Sequence, residues 1–327
     1  MKKIVTICLV IALAAGCLAG CGSANSNVGQ DSDKLQIVAI CFPEYDWVRE
    51  ILGEGTEHME LTLLLDKGAD LHSYQPTAKD MMKISTCDLL LYVGGESDAW
   101  VKDALQEAVN QDMVTLNLMD LLGDSVKEEE VIEGMQGYVG ESGDEEEEIE
   151  YDEHVWLSLR NAKLFCEAIA DSLSVIDPQH EENYRANASD YETKLDELDG
   201  AYRMAVEAGT VRTLLFADRF PFRYLADDYG LDYYAAFEGC SAETEASFET
   251  IIFLSEKVDA LSLPAILTIE GSDLRMAETI RNNTKAKDQQ ILTLPSMQSV
   301  SATDVAKGAT YLSVMEQNLN VIKEALR

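Results

Sequence analysis

Two histidines stand where chemistry can be done. His72 lies in Gly68-Ala69-Asp70-Leu71-His72-Ser73-Tyr74-Gln75-Pro76-Thr77, and His154 in Asp152-Glu153-His154-Val155-Trp156-Leu157, at the exit of an acidic run. A neutral imidazole offers a lone pair that suits Zn2+ and other first-row cations, and two such segments converging with carboxylates would build a mixed nitrogen and oxygen site. Spacing alone does not separate ligands from histidines that cap or pack locally. The other two histidines, His58 and His180, read as surface residues. Motifs for catalysis are missing: there is no GxSxG elbow, no Walker A loop, no HExxH helix and no GxGxxG after a strand. That favours binding over turnover, although a metal with an open position would still activate water.

Positioning two such loops requires a framework, and the chain supplies one by alternation. Apolar runs at 35–41, 59–65, 88–93 and 113–117 read as buried strands, with helical stretches at 44–52, 77–84 and 98–110 between them. Thr77 with Asp80 three residues on forms a capping box that starts a helix directly after Pro76. His72 therefore sits between the second strand and a capped helix, where open α/β sheets place ligands. The alternation returns with strands near 213–216, 231–237, 265–269 and 291–294 and helices near 222–228, 245–257, 273–283 and 306–326. The fold class is α/β, two βα-repeat lobes with four-stranded parallel sheets. Between them Asp177-Pro178 caps a stripe of Tyr184, Ala188, Tyr191, Leu195, Leu198 and Tyr202, spaced by four and three. One rigid helix from Pro178 to about Val206, roughly 40 Å long, joins the lobes. Such a strut restrains lobe closure, so capture should proceed by small loop shifts.

Composition narrows the partners. The chain has 327 residues, 46% hydrophobic, with 25 Lys plus Arg against 60 Asp plus Glu and a net charge of −35. Nucleic acid is excluded as a partner by that acidity. Lys2 and Lys3 precede an apolar stretch too short for a confident membrane span, as in a signal segment. It ends in Leu18-Ala19-Gly20-Cys21, which resembles the lipobox of bacterial lipoproteins and makes Cys21 the lipidation site, hence membrane attachment through an N-terminal anchor. The expected division is signal 1–20, flexible tether 21–34, N-terminal metal-binding lobe 35–157, a helical segment 158–206 holding the linking helix, and C-terminal lobe 207–327. Cys41, Cys87, Cys166 and Cys240 form no CxxC pair and read as buried free thiols, with a bridge open outside the cytoplasm. The acidic stretch 141–153 reads as a solvated loop or a weak cation collector.

These segments, together with Cys87-Asp88-Leu89-Leu90-Leu91-Tyr92-Val93-Gly94-Gly95, Trp100, Phe222-Arg223-Tyr224-Leu225, Tyr229-Gly230-Leu231, Ile269-Glu270 and Ala277-Glu278-Thr279-Ile280, resemble the zinc- and manganese-type solute-binding lipoproteins of metal ABC transporters across nearly all of the mature chain. The resemblance implies a metal between the lobes, with His72 and His154 matching the two N-lobe ligands. It implies a third ligand, His or Glu, three residues before the Phe of Phe-x-Tyr, where this chain carries Arg219. Asp218 is the substitute oxygen donor, leaving Arg219 for a second carboxylate; the alternative is a structural ion pair between the two. The family's fourth ligand is an Asp after the last strand, but Thr293-Leu294-Pro295-Ser296-Met297-Gln298 holds no carboxylate, and Glu270 takes its place as ligand or as an orienting group. Asp70 is read as shaping its loop or supporting a ligand from behind rather than as a direct ligand.

The expected function is that of an extracytoplasmic, monomeric receptor that captures a divalent metal ion, Zn2+ ahead of Mn2+, and hands it to an ABC transporter permease. The alternatives are a surface adhesion lipoprotein on the same scaffold with a degenerate site, and a metal-dependent hydrolase.

Overall fold

The apolar runs assemble into two sheets of the same topology. The structure is a computed structural model that describes residues 34–136, 150–241 and 245–327. The signal segment, Cys21, the tether up to residue 33 and the acidic stretch 141–149 lie outside the described residues. Strands β1 (Leu35–Ala39), β2 (Met59–Leu63), β3 (Leu89–Tyr92) and β4 (Val114–Asn117) pair in the order β2-β1-β3-β4. Strands β5 (Thr213–Phe220), β6 (Asp232–Glu238), β7 (Ala265–Thr268) and β8 (Gln290–Thr293) pair in the order β6-β5-β7-β8. Every pairing is parallel. Parallel sheets need cover on both faces, and Ile37, Val38 and Leu89 to Leu91 are buried accordingly.

Helices α1 (Phe42–Leu52), α2 (Ala78–Thr86), α3 (Val101–Gln106) and α4 (Leu118–Leu122) follow the strands of the first sheet. The capping box at α2 forms as expected: the Asp80 amide donates to Thr77 Oγ1 at 3.3 Å and the Thr77 amide donates to Asp80 Oδ2 at 2.9 Å. The second sheet carries α7 (Arg223–Tyr229), α8 (Phe248–Leu261), α9 (Arg275–Asn283), α10 (Ala302–Ala306) and α11 (Tyr311–Ala325). In each sheet the strand order reverses beside the first strand, and at such a switch point the loops leaving the carboxyl ends of the strands open a crevice.

Between the sheets stand α5 (Leu159–Ile176) and α6 (Glu181–Ala208), the latter 28 residues and so roughly 42 Å long. The expected stripe Tyr184, Ala188, Tyr191, Leu195, Leu198 and Tyr202 is buried along α6, which packs on α5, α1 and α11. The Tyr184 hydroxyl reaches Asp177 and the sulfur of Met59 in β2, and the Tyr202 hydroxyl donates to the Met315 carbonyl of α11 at 2.7 Å. One helix thus braces both sheets. Its first turn is a 3-10 turn, Pro178–His180, rather than α-helix. His58 and His180 stay partly exposed, as the surface reading has it, but they are not isolated: both rings hydrogen-bond Asp177 Oδ2, at 2.9 and 2.7 Å, and stack on each other. Residues 127–136 run from the first sheet over the second, the Lys127 amide donating to the Tyr224 hydroxyl and the Gln136 amide to the Ala236 carbonyl.

Candidate metal centre

His72 rides on a single 3-10 turn, Leu71–Ser73, in the loop that leaves β2. Asp70 caps that turn, its Oδ1 accepting the His72 amide at 3.0 Å, so its loop-shaping role holds. The same loop is tied to the other lobe. Gly68, at φ 73°, passes so close to Ser299 that an added Cβ would lie 3.0 Å from its carbonyl oxygen, and the Ala302 amide donates to the Asp66 carbonyl. His154 sits just before the short turn Val155–Leu157 that leads into α5 and is completely buried. Trp156 anchors that turn across the lobes: its Nε1 donates to the Ser296 carbonyl at 2.8 Å, and its own carbonyl accepts the Tyr311 hydroxyl at 2.7 Å.

The two rings meet. Their Nε2 atoms lie 3.1 Å apart. A tetrahedral zinc with bonds of about 2.0–2.1 Å sets two nitrogens about 3.3–3.4 Å apart, so the ion fits with a shift of a few tenths of an ångström. Partners on the far side of each ring direct the lone pairs inward. His154 Nδ1 donates to Asp152 Oδ1 at 2.9 Å, which leaves its Nε2 bare, and His72 Nδ1 bonds Ser97 Oγ at 2.7 Å. Burial pushes both imidazoles down to about 4 against the opposing pull of neighbouring acids, so neither ring is an imidazolium at neutral pH.

A cavity of about 270 Å³ opens on His72, lined also by Ser97, Glu129, Glu153 and Cys240 among others. Glu153 is buried, its Oε1 accepting the Ser97 amide at 2.8 Å while Oε2, 3.7 Å from His72 Nδ1, has no hydrogen-bond partner. Gly95 gives that carboxylate its room, since a Cβ there would fall 2.4 Å from the Glu153 carboxyl. Burial pushes Glu129 and Asp152 up to about 7, and their proximity raises Glu129 further. An unpartnered buried oxygen, two imidazole Nε2 atoms in contact with each other and an acidic wall are a donor set suited to a divalent cation.

Asp218 and Glu270 lie outside this convergence. Asp218 Oδ1 accepts the Arg219 amide at 3.0 Å and its Oδ2 the Ile269 amide at 3.3 Å, which ties the end of β5 to the end of β7. Glu270 accepts the Ser296 amide at 2.6 Å, the Ser296 hydroxyl at 2.8 Å and the Gln298 amide at 3.2 Å. It holds the turn in which Met297 adopts φ 66° and on which Trp156 docks. Arg219 does pair with a second carboxylate: its Nη2 donates to Asp70 Oδ2 at 2.7 Å and its Nη1 to the Ser241 carbonyl. The guanidinium thereby clamps the His72 loop to the second lobe.

One residue was not anticipated by the sequence. Among the described residues, the ligand atoms of His72, His154 and Cys240 all lie within 4.8 Å of one another. Cys240 follows β6 by two residues, and its amide donates to Glu129 Oε1 at 2.9 Å. Nothing in an isolated cysteine flags a ligand; the available signal was its place in the loop after a strand of the second lobe, the counterpart of the loop that bears His72. All four described cysteines are free thiols.

The model of the family described as "ZnuA: Zinc-uptake complex component A periplasmic" matches residues 37–325. The chain belongs to this family. It is 32% identical over 324 residues to the zinc-binding lipoprotein AdcA of Streptococcus pneumoniae strain R6, covering 99% of this chain and 61% of that relative, so it spans less than two thirds of the latter's length. It is 29% identical over 322 residues to the high-affinity zinc uptake system protein ZnuA of Bacillus subtilis strain 168, covering 97% of this chain and 96% of the relative. The crystal structure of the Zn(II)-bound ZnuA-like domain of Streptococcus pneumoniae AdcA superposes with a TM-score of 0.69 at 28% identity, over 90% of this chain and 99% of that one. Two parallel four-stranded sheets bridged by a long helix are therefore the architecture of the family as well as of this chain.

Proposed function

We propose that this chain captures a divalent first-row cation, zinc in preference to manganese, between its two lobes and delivers it to the permease of an ABC transporter. It works outside the cytoplasm as a monomer held at the membrane by lipidated Cys21, and it catalyses no reaction. The observation that carries the reading is the 3.1 Å approach of the His72 and His154 Nε2 atoms, with Asp152 and Ser97 holding the opposite ring nitrogens. Both rings are neutral at working pH, so the ion meets no competing proton there. Family membership and the zinc named in its relatives support zinc as the cargo.

In this reading Asp218 and Glu270 are positioning groups. Each would have to release backbone amides to reach the ion, leaving buried donors unpaired. Glu270 acts on the site through Ser296, Trp156 and thence His154. The α6 strut and the Arg219–Asp70 clamp keep the lobes together, so exchange of the ion proceeds by movement of the loops around the cavity.

Metal-stripped mature protein tests this directly. Its melting temperature should rise with Zn2+ and saturate at one ion per chain, and the rise should vanish in His72→Ala and in His154→Ala. Absence of any rise with Zn2+ or Mn2+ in the parent protein would remove the transport reading and favour surface adhesion.

A further inference from the structure

We infer that Cys240 supplies the third protein ligand of this site, making it a two-nitrogen, one-sulfur centre rather than one of imidazoles and carboxylates. The inference rests on the metal-capture reading above and names the donor that the second lobe contributes. Its Sγ lies within 4.8 Å of a ring nitrogen of His72 and of His154, and Cys240 lines the cavity. Cys240 is also the one cysteine among the described residues that is not fully buried; Cys41, Cys87 and Cys166 are sealed inside the lobes.

The backbone is shaped to bring it there. A Cβ on Gly239 would lie 3.1 Å from His154 Cε1 and 2.9 Å from the Phe220 carbonyl oxygen. Only a residue without a side chain lets the exit of β6 press against the His154 ring, and the next residue is then the thiol. Glu129 fixes the Cys240 amide at 2.9 Å, so the loop is held rather than draped. The two acids of the second lobe proposed as donors are held by backbone amides, Asp218 by those of Arg219 and Ile269 and Glu270 by those of Ser296 and Gln298.

On binding, the thiol loses its proton to solvent and the sulfur forms the bond to the ion as thiolate. A thiolate among the donors favours zinc and other thiophilic cations and disfavours manganese, which prefers oxygen. Selectivity against manganese thus comes from donor softness, with no need for an enclosing carboxylate cage.

Cobalt(II) is the probe, because thiolate sulfur gives it an intense near-ultraviolet charge-transfer band that imidazole and carboxylate do not. The mature chain, stripped of metal and kept reduced, should show that band on addition of one equivalent of Co2+. Cys240→Ser and Cys240→Ala should both lack it and bind Zn2+ about 100-fold more weakly, with metal-free melting temperatures near that of the parent. If parent and both variants bind Zn2+ equally and no band appears, Cys240 is not a ligand, while loss of binding in His72→Ala would leave the histidine reading intact. If the parent binds neither ion, both readings fall together.

Discussion

The two shoulders of the site are built by different means. On the first-lobe shoulder the groups at the ion position are imidazoles, and each has a dedicated partner behind it: Asp152 for His154, Ser97 for His72. On the second-lobe shoulder the acids nearest the crevice, Asp218 and Glu270, are consumed in holding backbone, and the cation Arg219 reaches across to Asp70. One shoulder offers lone pairs; the other offers architecture and, through Cys240, a single sulfur. The same residue types therefore change role with what surrounds them. A carboxylate that already accepts two or three amide hydrogens is a structural strut, whereas one with a bare buried oxygen, such as Glu153, is available to a cation.

The sharpest way to break this contrast is to remove an imidazole. His154→Ala should lower Zn2+ affinity by at least about 100-fold, measured by competition with a chromophoric chelator, because Asp218 and Glu270 are held by backbone amides. Next in size is Glu270→Ala. Three hydrogen bonds to a charged acceptor disappear, at a cost of about 3 kcal/mol read by urea unfolding, yet the folded fraction should still gain stability from Zn2+. Loss of the zinc response at unchanged stability would make Glu270 a ligand and erase the difference between the shoulders.

A pH experiment separates them further. The first shoulder rests on buried acids: burial, with Asp98 adding repulsion, pushes Glu44 up to about 8, and burial pushes Asp98 up to about 7. Glu44 Oε2 accepts the Ile40 and Cys41 amides at 2.9 and 3.0 Å. A pKa raised in the folded state means that folding takes up a proton. Stability from Glu44 is thus complete below its unfolded value of about 4.5 and is lost as the pH rises through about 8. Glu44→Gln keeps an acceptor without the titration, and should flatten the fall in stability between pH 5 and 8 by on the order of 2 kcal/mol, followed by thermal melts of the metal-free protein. The smallest effect belongs to Gly239→Ala, whose methyl meets His154 and the Phe220 carbonyl. It should cost about 1 kcal/mol in stability and weaken Zn2+ binding more than that strain alone accounts for, because Cys240 is displaced from the ring pair.

The contrast also explains what could be read from the chain alone. Both sheets and the strut follow from local signals, namely unbroken apolar runs, a Thr77–Asp80 box and a stripe at spacings of three and four, whereas the His72–His154 pair is legible only through the family resemblance of the segments that carry it. The second-lobe donors do not follow, since the fate of Asp218 and Glu270 is decided by amides of Arg219, Ile269, Ser296 and Gln298 that arrive from other strands and turns. Arg219 shows the same limit in a milder form. Its inability to bind a cation is evident from its type, but that its partner is Asp70 of the opposite lobe is a matter of tertiary placement. The His58–Asp177–His180 cluster escaped for the converse reason: its members look like ordinary polar residues at a helix start and converge only once the strut is docked.

X-ray absorption at the zinc K-edge, on protein loaded with one equivalent, addresses the histidine pair most directly. The histidine pair requires outer-shell scattering from two imidazole rings, with nitrogen at about 2.0–2.1 Å, and the loss of that scattering in His72→Ala. A spectrum of oxygen donors without imidazole scattering, unchanged in that variant, would contradict it.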